Sequence, residues 1–141
     1  MAKTYLVPID FSRGSEIALN HALELARDHK GKIILLHVIP ATIVYPTEGT
    51  TFDFYTLVER DAREGVKKLA QRKRMKPADY RFVLIRASDT AQTIARQAKK
   101  HRASMIVMGS HGRTGLKRFI LGSVAERTLR YADCPVLIVK K

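Results

Sequence analysis

The chain has 141 residues, 45% of them hydrophobic and 28% charged, long enough for one proper core and too apolar for a disordered segment, so one domain over residues 1–141 is expected. No apolar run reaches bilayer length, the first four residues lack the apolar stretch of a secretory leader, and the single cysteine, Cys134, excludes an intrachain disulfide and suits a reducing compartment; the expected location is cytoplasmic, with no membrane span. The formal net charge is +13, from 26 Lys and Arg against 13 Asp and Glu, a balance that attracts nucleic acid, an anionic surface or a phosphorylated ligand.

Residues 5–10, Tyr-Leu-Val-Pro-Ile-Asp, read as a short buried strand, with Pro8 near its C-terminal end because proline cannot donate to a ladder. A turn follows, with Ser12 as a candidate cap, and apolar residues then recur at helical spacing from Ser15 to about His29. Residues 33–40 form the second strand. It is apolar on both faces, as a central parallel strand covered by helices should be. Residues 41–51 read as a loop. A helix follows from about Phe52 to Arg72, with the most basic run of the chain at its tail and Pro77 as its stop. That basic tail is expected to be a solvated face.

Residues 80–86 are the third strand, and its polar ends and Arg81 place it at or near a sheet edge. Ser88 or Asp89 caps the next helix, which ends in Lys99-Lys100-His101. Residues 104–108 make the fourth strand, a helix ends near Tyr131, and Val136-Leu137-Ile138-Val139 is the last strand. This alternation predicts an α/β fold: an open five-stranded parallel sheet with helices on both faces, Rossmann-like, in strand order 3-2-1-4-5. In that order the winding reverses between strands 1 and 4, and ligands bind beside that reversal at the strand C-termini. Asp10 and the stretch after strand 4 would then line one crevice from about a hundred residues apart.

That stretch is Gly109-Ser110-His111-Gly112-Arg113-Thr114-Gly115, continuing to Gly122-Ser123-Val124. Glycine lets backbone approach an anion, and the free N–H groups at a helix start donate to it. It is neither a Walker A loop, since no Gly-x4-Gly-Lys-Ser/Thr occurs, nor the dinucleotide fingerprint, since the Gly-x-Gly opening is missing. Other candidates read more plainly. His37 is a satisfied core or crevice residue, His111 a hydrogen-bonding group rather than a proton shuttle, and Met75, Met105 and Met108 fillers of core or pocket. The five His and one Cys show no metal-ligand spacing, so no metal site is assigned. Asp10 has the alternative of capping its own turn, but a carboxylate beside the crevice has a ready use as a ligand group.

The pattern Gly109-x2-Gly112-x9-Gly122-Ser123, together with Val7-Pro8-Ile9-Asp10-Phe11-Ser12, Leu36-His37-Val38 and Cys134-Pro135-Val136-Leu137-Ile138-Val139, resembles the universal stress protein family and its ATP-binding subgroup. The chain departs from that pattern in carrying Ser88 and Thr90 where many members have Gly and Pro, and Ala125 where some ATP binders have a further hydroxyl.

The resemblance implies that ATP, with or without Mg2+, is the ligand. It implies that Asp10 accepts from the base or ribose and that Pro8, Ile9 and the Val38 backbone frame the adenine. Gly109 and Gly112, with Ser110 and His111, would pass close to ribose and phosphates; Gly122, Ser123 and Val124 would donate to the phosphates; and Arg113 would contact or gate them. It implies a homodimer paired through residues 136–139, which also suits an apolar edge strand. No catalytic residue is assigned, because no second acid near the loop is placed to organise phosphoryl transfer. The expected function is a nucleotide-dependent stress sensor or regulator with an unidentified regulatory partner and weak hydrolysis at most. A slow ATPase or autophosphorylating protein is the alternative. Docking on nucleic acid or an anionic surface through the +13 charge is a third reading, in which base-specific recognition lacks its usual aromatic parts.

Overall fold

Strand β1 (Thr4–Pro8) is the middle of the molecule. In the computed structural model, which describes residues 2–41, 54–111 and 121–140, it pairs in parallel with β2 (Lys32–Pro40) on one side and β4 (Met105–Gly109) on the other. Strand β3 (Tyr80–Ala87) joins β2, and β5 (Val136–Val139) joins β4, also in parallel. The order is β3-β2-β1-β4-β5, as expected. The edge position read from Arg81 is borne out: β3 is the first strand of the order, with Arg81 and Arg86 exposed and the rest half-buried, while the centre of β2 is fully buried.

Alternation along the central strands divides the apolar runs between two layers. Tyr5, Val7, Ile33 and Leu35 face helices α1 (Arg13–Asp28) and α2 (Phe54–Arg72), where Leu19, Val66 and Leu69 cover them. Leu6, Ile34, Leu36 and Ile106 face α3 (Thr90–Lys100) and α4 (Ser123–Tyr131), where Ile94, Ala98 and Ala125 cover them. Among the described residues no helix is long and apolar enough to cross a membrane.

The caps explain where the helices begin. Ser12 accepts from the Ser15 N–H, so α1 starts at Arg13, two residues ahead of the expected Ser15. Asp89, not Ser88, caps α3, accepting from the Gln92 N–H at 3.1 Å. α2 ends at Arg72, through a left-handed residue at Arg74 (φ 54°), so it is over before Pro77, which instead opens a short 3-10 turn. The expected loop 42–51 and helix start at 52 lie outside the described residues.

Asp89 also joins α3 to α4, since Arg127 approaches its second oxygen at 2.6 Å. The Arg127 guanidinium, then the Gln92 N–H, hold its carboxyl below the usual carboxylate value of 3.8. A depressed folded pKa adds stability above the unfolded value and loses it as pH falls through the folded one. Asp89→Ala is therefore expected to lower the melting temperature by a few degrees at pH 7, with the gap to the parent narrowing below about pH 4. Thermal melts at pH 7 and pH 3 check this, and an equal gap at both would refute the linkage.

Candidate functional site

The chain leaves β1 under tight control. The Ile9 N–H still donates to the Leu36 carbonyl at 2.7 Å, which keeps it in step with β2 for one residue past Pro8. Asp10 then turns out of the sheet, and its Oδ1 accepts from the Ser12 N–H at 2.9 Å. Phe11 follows at φ 64°, in the left-handed region that few side chains adopt. Its ring lies 4.9 Å from that of His37 on β2, and the His37 Nδ1–H donates to the Ile9 carbonyl at 2.6 Å. His37 is thus a hydrogen-bonded residue beside the crevice that braces the Asp10 turn.

The second wall comes from the end of β4. The Ser110 N–H donates to the Val139 carbonyl at 3.2 Å, and its Oγ lies 3.0 Å from His111 Nδ1. The chain passes out of the described residues after His111 and is back at Leu121, where the Gly122 N–H donates to the Ser110 carbonyl at 2.7 Å. The two ends of the glycine-rich stretch are therefore pinned together.

Space decides two of its glycines. A Cβ on Gly109 would stand 2.9 Å from the Gly14 carbonyl oxygen, and one on Gly122 would stand 2.8 Å from that of Ser110. Both neighbours are backbone, which cannot swing away as a side chain can.

These walls enclose a cavity of about 220 Å³ between β1 and β4, where the winding of the sheet reverses. Of the predicted site residues, Pro8, Ile9, Asp10, Val38, Gly109, Ser110, His111, Ser123 and Val124 line it. Gly122 stands behind that lining as the residue before α4. Gly112 and Arg113 lie outside the described residues.

Six further residues line the same space: Ser15, Leu36, Thr90, Ile94, Met108 and Ala125. Met108 was legible as a pocket filler, and Thr90 and Ala125 stood out only as departures from a family pattern. Leu36 belongs to the Leu36-His37-Val38 piece of that pattern, while Ser15 and Ile94 fall in stretches that read only as helix, with no local signal that they line a site.

Of the three helix starts at the crevice, α3 is capped by Asp89, and the other two differ. The first turn of α1 is satisfied by Ser12, through its side chain to Ser15 and its carbonyl to the Glu16 N–H. Gly122 offers α4 no side-chain cap, so the leading N–H groups of that helix open on the cavity that Ser123, Val124 and Ala125 line. Asp10 is the one carboxylate among the described lining residues, and none of them is Lys or Arg. Among the described residues no group of three or more His, Cys, Asp or Glu could hold a metal ion.

A family model, that of the universal stress protein family, matches residues 1–140. Universal stress protein MJ0531 of Methanocaldococcus jannaschii is 33% identical over 141 residues, spanning 99% of this chain and 82% of that protein. Among solved structures, the MJ0577 protein of the same archaeon matches with a TM-score of 0.81 at 29% identity, covering 100% of this chain and 97% of its own. A universal stress protein from Archaeoglobus fulgidus, solved in complex with dAMP, matches with a TM-score of 0.69 at 23% identity, covering 99% of this chain and 98% of its own.

Proposed function

We propose, from the premise that this chain belongs to the universal stress protein family, that its crevice binds an adenine nucleotide, ATP, and that the bound nucleotide sets the protein's conformation or choice of partner in a stress response. The observation that carries this is the pairing, across one 220 Å³ cavity, of a carboxylate at the end of β1 with an uncapped helix start after β4. A base and its sugar fit apolar walls such as Pro8, Ile9, Val38 and Met108, with Asp10 accepting from base or ribose. The phosphates lie at the N-terminus of α4, where Gly122, Ser123 and Val124 present N–H groups, and Gly112 and Arg113 belong to the same proposed set of ligand residues. The Archaeoglobus protein shares only the fold at its level of identity, and its complex shows that this fold has room for an adenylate.

The bound group supplies a polyanion and, where Mg2+ accompanies it, a cation held chiefly by the phosphates. The chain's part is to bind and orient. Asp10 already accepts from Ser12, and no second carboxylate is among the described lining residues to position a nucleophile, so holding is favoured over turnover. The placement of β5 at a sheet edge, with Leu137 37% exposed, supports a homodimer paired through that strand.

The test is native mass spectrometry of the protein as purified, followed by thermal melts with ATP, ADP, AMP and GTP. Co-purified adenylate, or a rise of several degrees at 100 times Kd (about 2.7 kcal/mol of stabilisation) with adenine nucleotides and not with GTP, is expected. No mass and no shift with any adenine nucleotide would overturn the reading.

A further inference from the structure

A parallel sheet sends every helix C-terminus to the end opposite the crevice. Three helices close there in the same way. The Gly31 N–H donates to the Ala26 carbonyl at 2.7 Å, the Met75 N–H to Ala70 at 2.9 Å, and the Ala103 N–H to Ala98 at 2.8 Å. Each is the six-to-one bond of a Schellman motif. The residue before each donor stands in the left-handed region: Lys30 at φ 51°, Arg74 at 54° and Arg102 at 52°. Glycine is the residue that fits this position without strain. Here all three are long, exposed cations.

The helix dipole does not account for them. A cation in the last turn complements it without backbone strain, and Arg27, Arg72, Lys99 and Lys100 already stand in those turns. The strand starts at the same end add exposed Lys3, Lys32 and Arg81. Between the ends of α1 and α2 lies an open cavity of about 820 Å³, whose lining includes Lys30, Lys32, Lys73 and Arg74 against Glu24 and Asp79. His101, which ends α3 beside these cations, is held below its ordinary pKa by burial first and by the charges of Arg81 and Lys100 after it. The crevice, by contrast, has no Lys or Arg among its described lining residues.

We propose that this end of the sheet is a docking surface for the phosphate backbone of double-stranded nucleic acid, held by charge and without reading of bases. An anionic bilayer is gripped by apolar insertion together with charge, and single strands stack on aromatics. Among the described residues the exposed large apolar side chains are Phe11 and Val124 near the crevice, Leu137 on β5, and Leu129 and Tyr131 in the last turn of α4; none lines the basic cavity between the ends of α1 and α2, and the Arg127 guanidinium lies over the Tyr131 ring at 5.5 Å. Tyr80, at the start of β3, packs against the core. Five strands at about 4.8 Å spacing span roughly 19 Å, a length over which a duplex offers about eleven charges.

The triple variant Lys30→Gly, Arg74→Gly, Arg102→Gly removes three cations while giving each helix end its preferred residue. Fluorescence anisotropy with two 24-base-pair DNA duplexes of unrelated sequence, from 50 to 300 mM KCl, is the measurement. The parent is expected to bind both sequences alike at 50 mM. The variant is expected to keep or raise its melting temperature, to bind at least tenfold more weakly at 50 mM, and to lose about 2.7 from the slope of log K against log salt. A control with the same charge change at exposed positions inside helices, Arg60→Gln, Lys67→Gln, Arg96→Gln, is expected to lose less than threefold. If the glycine variant is destabilised, the asparagine version, whose side chain also tolerates this backbone, takes its place. The proposal falls if the parent does not bind duplex at 50 mM, if variant and control lose the same factor, or if the parent prefers phosphatidylserine vesicles or single-stranded RNA.

Discussion

Gly122→Val is expected to abolish nucleotide binding, by at least about 100-fold, in a protein that still folds. Gly122 has φ −60° and ψ 151°, open to any residue, so the constraint is space and not backbone freedom. A Cβ there meets the Ser110 carbonyl oxygen at 2.8 Å and the His111 Cα at 3.5 Å. That same oxygen accepts the Gly122 N–H at 2.7 Å. Relief therefore requires the end of β4 and the start of α4 to separate, which takes the leading N–H groups of α4 off the phosphates.

Hydrogen bonds to a charged group are worth about 1.5–3 kcal/mol each, so losing two reaches the stated factor. Overpacking of this kind costs about 1–3 kcal/mol of stability, and circular dichroism and a thermal melt on the same sample separate it from unfolding. Gly122→Ala brings the Cβ without the branch and is expected to lose about tenfold. Titration calorimetry with ATP reads both. Parental affinity in the valine variant would place the phosphates elsewhere.

Asp10→Asn is expected to weaken ATP roughly 10- to 100-fold with little change in melting temperature. The amide keeps an oxygen to accept the Ser12 N–H, now made at 2.9 Å by Oδ1, so the turn into α1 survives. What is lost is the charge that strengthens a hydrogen bond from the base or ribose. Asp10→Ala removes both and is expected to lower stability as well, by about 1 kcal/mol.

The two sites address opposite ends of the ligand. Asp10→Asn should weaken adenosine and ATP by the same factor. Gly122→Val should spare adenosine, which has no phosphate to lose. An Asp10→Asn protein that binds adenosine normally would leave Asp10 with its turn-forming role alone.

Much of this architecture is legible before any coordinates. Both-face apolarity at residues 33–40 marks a central strand and Arg81 an edge, because only covered strands can be apolar throughout. Right-handed crossovers then leave few orders for five alternating units, and the order puts Asp10 opposite the stretch from Gly109 to Ser123. Local chemistry also names Ser12 as a cap. It leaves Ser88 and Asp89 as equals, and only the Arg127 guanidinium from α4, 38 residues on, shows why Asp89 prevails.

By itself, then, the sequence determines the alternation of elements, the strand order and the two poles of the crevice, because each rests on a local pattern or on a topological rule. Tertiary structure alone decides three things. Ser15 and Ile94 join the cavity because packing chooses which inward residue meets which. Gly109 and Gly122 are required for space, since the atoms they would strike belong to distant backbone or to the far end of a loop. Lys30, Arg74 and Arg102, scattered along the chain, come to one end of the sheet because parallel strands send three helix C-termini there.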